Sequence, residues 1–170
     1  MDHFARLGLP ATLDVDAATL DRAYFAAQRQ WHPDRFVARP PEERAKASTE
    51  AAALNDAYRT LKNPLSRAVY FAGLHGVELP GDGQTIDDPE LLMEAMEARE
   101  ALHESATAEA VDTLAARARR DMEQALAGLG TLFLRHDNAA IRKALLRLRY
   151  LDKFAEEARA RRTNLQRVKA

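Results

Sequence analysis

The tripeptide His32-Pro33-Asp34 is the sharpest chemical signal in the sequence. Its proline cannot continue a helix and restricts the residue before it, so the preceding amphipathic helix should end there and leave an imidazole and a carboxylate on a loop. Such a carboxylate can accept a charge-assisted hydrogen bond from a cationic group on another protein. As a bare tripeptide, however, the motif is better explained by an ordinary turn in which Asp34 caps nearby amides.

Three arginines lie near this tripeptide. Arg22 and Arg29 are seven residues apart, which places them on one face of the preceding helix, and Arg35 follows the tripeptide directly. Partly exposed guanidinium groups can steer an acidic partner toward a surface. On spacing alone, however, two arginines on a helix usually belong to a face that meets only solvent.

A second segment, residues 90–102, has more apolar residues than one buried stripe explains. Its expected core face consists of Leu91, Ala95, Ala98, Leu102 and Ala106. A second set of residues turns away from that face and consists of Leu92, Met93, Met96, Glu97 and Glu100. Methionine and leucine surrounded by carboxylates suit a protein interface. Later helices that wrap around this one would instead bury Leu92 and Met96, and the sequence leaves both possibilities open.

Amphipathic helices must position these residues, and the fold class is expected to be all-α. The 170 residues include only 7 Gly and 6% aromatic residues, whereas Ala, Leu, Glu and Arg are abundant. Apolar residues recur at steps of three and four over residues 20–31, 47–61, 111–132 and 141–158, and the first two helices should pack antiparallel. Pro64 should open a short helix, and Asn138 is a candidate N-cap of the last one. In that last helix Tyr150 and Phe154 stand off the main apolar stripe.

A cluster of helix breakers just before residue 90 divides the chain. It predicts a first domain at residues 1–75, a linker at 76–89 and a second, three-helix domain at 90–170. Residues 76–110 carry ten acidic side chains and one arginine, whereas residues 111–170 carry 14 basic and seven acidic side chains. Opposite charges on neighbouring helices are expected to help them pack side by side in a bundle.

The composition excludes several classes of function. A formal net charge of -1 gives no overall attraction to nucleic acid, and the absence of cysteine excludes thiolate chemistry and cysteine-ligated metal or cluster sites. The sequence also lacks a glycine-rich phosphate loop, a nucleophile elbow and paired histidines at helical spacing, so an enzyme is not expected. No signal-peptide pattern or long apolar run is present, which predicts a cytoplasmic protein without a membrane span.

An ordered set of motifs in the first domain resembles the J-domain family of chaperone partners. The set consists of residues 2–10, the tripeptide at 32–34, and residues 54–64 and 67–70. The resemblance implies a helical hairpin that docks on a DnaK-class chaperone and stimulates its ATP hydrolysis. The chaperone-binding residues that it implies are His32, Pro33, Asp34, Arg22, Arg29 and Arg35.

Two segments of the second half, 91–100 and 148–153, extend the resemblance to the HscB family, the co-chaperones of iron–sulfur cluster assembly. It implies a C-terminal domain that binds the cluster scaffold IscU and delivers it to an HscA-type chaperone, whose ATPase the J-domain and the scaffold stimulate together. The implied scaffold-binding residues are Leu92, Met93, Met96, Glu97, Glu100 and Tyr150. Met96 stands where the family often has Leu, and Tyr150 where it often has Phe, and both changes keep apolar bulk.

The same resemblance implies no cofactor, no metal and no bound cluster. Eukaryotic relatives can carry an added cysteine-rich metal module, whereas this sequence has no cysteine and begins at the J-domain, as in the bacterial form. A monomer is expected, and His3 stands where the family usually has tyrosine. One alternative stays open, a general J-domain co-chaperone of DnaK with a different client. The tripeptide indicates only the class of chaperone, and only the second half of the sequence indicates the client.

Overall fold

The computed structural model describes residues 1–81 and 87–168, and these residues form helices without any strand. The helices are α1 (His3–Arg6), α2 (Ala17–Trp31), α3 (Pro41–Lys62), α4 (Pro64–Leu74), α5 (Pro89–Glu104), α6 (Ala108–Leu134) and α7 (Asn138–Val168). A short 3₁₀ turn, Pro33–Phe36, lies between α2 and α3. The all-α fold class is therefore confirmed. No helix of the described residues is both long and apolar enough to cross a membrane.

The chain divides into two compact units, Met1–Leu74 and His75–Ala170. The described beginning of the expected linker packs within the second unit, because Val77 is buried and the Pro80 carbonyl accepts a hydrogen bond from Arg149. Residues 82–86 of that linker lie outside the described residues.

Apolar side chains of α1, α2 and α3 form the core of the first unit. Its buried members are Phe4, Leu7, Leu20, Leu54, Ala57 and Leu61. Tyr24 donates a hydrogen bond to Asn55 at 2.7 Å, and Tyr58 donates one to Asp21 at 2.7 Å. Because rising residue numbers on α2 meet falling numbers on α3, the two helices are antiparallel, as the sequence predicts. The turn between them, which carries the tripeptide, therefore lies at one end of the hairpin.

His3 fixes α1 against α4. Its ring stacks on the ring of Tyr70 with centroids 4.2 Å apart, and its backbone N–H donates to the Tyr70 hydroxyl at 2.9 Å. Its Nε2 atom lies 3.6 Å from the carboxylate of Asp56 on α3. The imidazole thus supplies a flat ring that stacks on Tyr70 and joins α1 to α4.

The central helix of the second unit is α7. Its buried residues are Ile141, Leu145, Leu146, Leu148, Leu151, Phe154 and Ala158. Because α5 and α6 both pack against it, α7 buries a wider arc than a single stripe. The expectation that Phe154 stands off the stripe is wrong for this reason, since its side chain is only 5% exposed and belongs to the same core cluster as Leu102 and Val111.

Asp137 caps the N-terminus of α7. Its Oδ1 atom accepts a hydrogen bond from the Ala140 N–H at 3.0 Å, which is the bond that an N-cap side chain makes. The preceding His136 has a left-handed backbone with φ 53°, a conformation found mainly in turns. Asn138 is already the first helical residue. The expectation that Asn138 is the cap is therefore wrong by one position.

Ion pairs join α5 and the residues just before it to α7. The pairs are Arg142–Asp87 (2.8 Å), Lys143–Glu90 (2.6 Å), Arg147–Glu94 (2.8 Å) and Arg99–Glu157 (3.0 Å). Exposed pairs of this kind contribute about 0–1 kcal/mol each and weaken as salt is added. The opposite charges of the two segments thus have a role in packing, and the basic character of α7 needs no nucleic acid to explain it.

Candidate functional site

The tripeptide lies on an exposed turn at the end of α2. Trp31 is the last residue of the helix and His32 is extended, with φ −61° and ψ 128°, because the proline that follows disfavours a helical backbone at this position. The Nδ1 atom of His32 accepts a hydrogen bond from the Asp34 N–H at 3.3 Å. The imidazole therefore caps the 3₁₀ turn, and the Asp34 side chain, with Oδ2 3.6 Å from the same Nδ1 atom, is left 85% exposed. The alternative in which Asp34 caps nearby amides is not what the structure has.

Aromatic and cationic contacts hold this turn in place. The rings of Trp31 and Phe36 stack nearly parallel, at 4°, with centroids 6.1 Å apart. Lys46 of α3 lies over the Trp31 ring, 5.8 Å from its centroid. From the other side of the turn, Arg35 donates a hydrogen bond from Nη1 to the Arg29 carbonyl at 2.7 Å. The turn is thus tied to the ends of both helices of the hairpin, which keeps the tripeptide on display.

The three expected arginines lie on the outer face of α2 and on the turn. Arg22 donates to the Thr19 hydroxyl at 2.9 Å, and Arg29 donates from Nε to the Phe25 carbonyl at 3.4 Å. In the described part of the chain, no carboxylate lies within ion-pair distance of Arg22, Arg29 or Arg35. The structure therefore brings the arginines and the tripeptide together as one exposed cationic surface with a carboxylate at its end.

Phe25 is a residue of this surface that sequence reasoning misses. Its side chain is 57% exposed, and it lies between Arg22 and Arg29 on the outer face of α2. The available signal is its position, because Phe25 falls outside the apolar stripe that includes Leu20 and Tyr24. Aromatic and arginine side chains are enriched in protein interfaces, so an exposed aromatic ring beside two arginines is a candidate for contact with another protein.

The second candidate site is an apolar patch on α5 formed by Leu92, Met93 and Met96. Their side chains are 37%, 63% and 62% exposed. The opposite face is buried through Leu91, Ala95 and Leu102, as the sequence predicts, whereas Ala106 is exposed because α5 ends at Glu104. The interpretation of Leu92 and Met96 as core is therefore excluded. Glu97 and Glu100 are also exposed and form an acidic rim beside the patch.

Tyr150 contacts α5, the helix that carries the apolar patch, through a hydrogen bond to Glu94, and its own side chain is half-buried. The half-buried Tyr150 donates its hydroxyl to Oε1 of Glu94 at 2.6 Å, and Arg147 donates to the same oxygen from Nε at 3.0 Å and from Nη2 at 2.8 Å. Glu94 lies between Met93 and Met96 in the sequence of α5. The network therefore ties α7 to the helix that carries the apolar patch.

The ionisation of this network follows from its hydrogen bonds. Burial raises the pKa of Glu94, but the hydrogen bonds from Arg147 and Tyr150 outweigh burial and leave that pKa below its ordinary value. Burial and the bond to Glu94 both raise the pKa of Tyr150. At neutral pH the tyrosine is therefore the donor and the glutamate the charged acceptor. Among the described residues, no group of three His, Asp or Glu side chains could hold a metal ion.

Comparison with known proteins places this fold in a class. The first unit is a J-domain and the second a C-terminal helical domain, the arrangement of a J-domain co-chaperone. The family model described as the HSCB C-terminal oligomerisation domain matches residues 87–159. A co-chaperone protein HscB homolog of Bordetella petrii is 41% identical over 165 residues, which cover 95% of this chain and 96% of that protein. One of Cupriavidus taiwanensis is 42% identical over 159 residues, 92% of this chain and 90% of that protein.

Solved structures agree with the sequence relatives. Chaperone HscB from Vibrio cholerae superposes with a TM-score of 0.83 at 32% identity, covering 97% of this chain and 99% of that one. Human co-chaperone protein HscB gives a TM-score of 0.87 at 29% identity, over 94% of this chain and 81% of that one. The chain belongs to the HscB family of co-chaperones. Membership of this family gives it a J-domain co-chaperone role in iron–sulfur cluster assembly.

Proposed function

We propose that this chain binds the iron–sulfur scaffold protein IscU, delivers it to an HscA-type chaperone of the DnaK class, and stimulates ATP hydrolysis by that chaperone. The observation that carries the proposal is the exposure of Met93 and Met96 on a helix whose other face is buried. Large exposed apolar side chains of this kind are typical of protein-binding surfaces. In this division of labour residues 1–75 act on the chaperone, residues 76–89 link the domains and residues 90–170 hold the scaffold.

The chaperone step uses the exposed turn. The Asp34 carboxylate is available to a cationic group on the chaperone, and the arginines of α2 and the turn are available to an acidic surface beside it. Binding stimulates hydrolysis when the bound surface favours the conformation of the chaperone that hydrolyses ATP over the one that does not. Contacts of Trp31 with Phe36 and Lys46 hold the turn in place before binding, so little conformational entropy is lost when the two proteins bind.

The scaffold step uses the apolar patch on α5. Methionine side chains are flexible and polarisable, so Met93 and Met96 can adapt to the shape of a partner. Glu97 and Glu100 at the rim favour a partner with basic groups around an apolar centre. Tyr150 supports the patch from α7 through its hydrogen bond to Glu94.

Sedimentation of mixtures tests this proposal. The chain, purified IscU and an ATP-bound HscA-type chaperone are expected to form a complex that contains all three proteins. With Asp34→Asn, the chain and IscU should still sediment together while the chaperone is lost. A chain that sediments with DnaK but not with IscU would contradict the proposal and favour the alternative, a general co-chaperone with a different client.

The cytoplasmic location, the monomeric state, and the lack of a metal and of catalytic activity stay predictions.

A further inference from the structure

We propose that Phe25 is the aromatic anchor of the chaperone-binding surface, a residue that sets how tightly this chain binds its chaperone. The inference rests on the proposed function and goes beyond it, because the expected chaperone-binding residues include no large apolar side chain. The occupant of the surface is the chaperone, which would present an apolar pocket bordered by carboxylates.

The placement of Phe25 on α2 is the first argument. Residues at steps of three and four share one face of a helix, and this spacing joins Arg22, Phe25, Ala26 and Arg29, all of which are exposed. Ala26 is small, so a partner can approach the helix closely beside the Phe25 ring. The Phe25 ring is tilted against the ring of its neighbour Tyr24, with centroids 5.4 Å apart, and Phe25 stays 57% exposed.

Continuity with the turn is the second argument. Arg29 donates to the Phe25 carbonyl at 3.4 Å, and its own carbonyl accepts a hydrogen bond from Arg35 at 2.7 Å. These two hydrogen bonds link the backbone of Phe25 to Arg29 and the backbone of Arg29 to Arg35, the residue that follows Asp34 on the turn. Phe25 lies one helical turn from Arg29, so a chaperone that contacts Asp34 and Arg29 comes within reach of the Phe25 ring.

Charge is the third argument. Arg22 and Arg29 lie three and four residues from Phe25 on α2, and no described carboxylate is within ion-pair distance of either. Asp21, four residues before Phe25, accepts a hydrogen bond from Tyr58 of α3, and Arg22 is joined to Asp16 through the Thr19 hydroxyl. A pocket with an apolar floor and acidic side chains around it would fit this surface. The floor would contact the Phe25 ring, and the acidic side chains would pair with the two guanidinium groups. Aromatic and arginine residues are also the types that most often dominate binding energy in interfaces.

Titration of the chain into the chaperone's ATPase assay, with Phe25→Ala, tests the inference. We expect the chain concentration that gives half-maximal stimulation to rise at least about tenfold, because an anchor contributes to affinity. The maximal stimulation should stay unchanged, because the turn that triggers hydrolysis is intact. The conservative Phe25→Tyr should restore most of the affinity. Leu74→Ala is the matched control, since Leu74 is another exposed large apolar residue of the same unit, and it should behave as the unaltered chain.

Two outcomes would overturn the inference. An unchanged half-maximal concentration for Phe25→Ala would remove the anchor role, and a large fall in its melting temperature would mean that the residue is structural. Asp34→Asn separates this failure from failure of the proposed function. If Asp34→Asn abolishes stimulation while Phe25→Ala does nothing, only the anchor is wrong; if the unaltered chain stimulates no chaperone, the proposed function itself is wrong.

Discussion

Tyr150 of α7 donates its hydroxyl to Oε1 of Glu94 on α5 at 2.6 Å. Arg147, one turn earlier on α7, donates to the same oxygen. Two side chains of the central helix therefore hold one carboxylate of the helix that carries the apolar patch. This arrangement gives Tyr150 a supporting role for the patch, in which its hydroxyl acts in addition to its apolar bulk.

A double-mutant cycle tests the bond between Tyr150 and Glu94. Tyr150→Phe keeps the ring and removes the donor, so the free energy of unfolding should fall by about 0.5–1.5 kcal/mol. Combined with Glu94→Gln, the effect of Tyr150→Phe should shrink, because the charged acceptor is already gone. Chemical denaturation of the four proteins measures this coupling. Strictly additive effects would mean that the two side chains do not interact.

The stability of the second unit should depend on pH through Glu94. Its pKa is lower in the folded chain than its ordinary value of 4.5, so its stabilising effect is present at neutral pH and is lost as the pH falls through the folded pKa. The difference in free energy of unfolding between the unaltered chain and Glu94→Gln should therefore shrink below pH 4.5. Urea denaturation from pH 7 to pH 3 measures it, with Glu97→Gln as an exposed control on the same helix. A difference that grows on acidification would contradict the account.

Replacement of Leu92, Met93 and Met96 by alanine should weaken scaffold binding by several kcal/mol while helicity and melting stay nearly unchanged, because these side chains are exposed. Calorimetric titration with IscU and circular dichroism measure the two effects. Leu134→Ala is a matched control, since Leu134 is an exposed residue of the same unit outside the patch. Leu91→Ala on the buried face should instead cost about 2–5 kcal/mol of stability. A large fall in the melting temperature of the triple variant would mean that these side chains belong to the core.

His32→Gln and Asp34→Asn should abolish stimulation of the chaperone's ATPase and leave scaffold binding intact. The reason is that both residues lie on the exposed turn of the first unit, whereas the apolar patch belongs to the second. Steady-state ATP hydrolysis and titration with IscU measure the two activities separately. Loss of both activities from a single change on the turn would contradict the division of labour between the units.

The cap of α7 gives a purely structural prediction. Asp137→Ala removes the acceptor of the Ala140 amide and should lower the free energy of unfolding by about 1 kcal/mol. Asn138→Ala, at the next position, should have a much smaller effect, because Asn138 is inside the helix. Thermal denaturation of the two variants compares them directly. A larger loss for Asn138→Ala would place the cap where the sequence first suggests it.

Local patterns predict much of this fold. The end of α2 at Trp31 follows from the proline two residues later, and the buried face of α5 follows from the spacing of Leu91, Ala95 and Leu102. Such features depend on neighbours along the chain. Phe154 is different, because its burial depends on α7 being covered from two sides, which no single helical stripe reveals.

In the candidate sites, too, some features depend on local spacing and others on residues far apart in the sequence. The turn and the helical spacing make the exposure of Asp34, Met93 and Met96 one of two possibilities, and the structure decides between them. The bond between Tyr150 and Glu94 joins residues 56 positions apart, and local spacing carries no information on such a contact. The position of Phe25 outside the apolar stripe of α2 predicts that its ring is exposed. Its neighbour Tyr24 lies on that stripe and packs against the core.

Steady-state ATP hydrolysis by an HscA-type chaperone, measured with this chain and with and without IscU, tests the central claim most directly. We expect the chain to stimulate hydrolysis, IscU to raise the rate further, and Asp34→Asn to remove the chain's contribution. A parallel assay with DnaK serves as the comparison. Stimulation of DnaK alone, or no response to IscU, would contradict the claim that this chain couples a scaffold on α5 to a chaperone at the His32-Pro33-Asp34 turn.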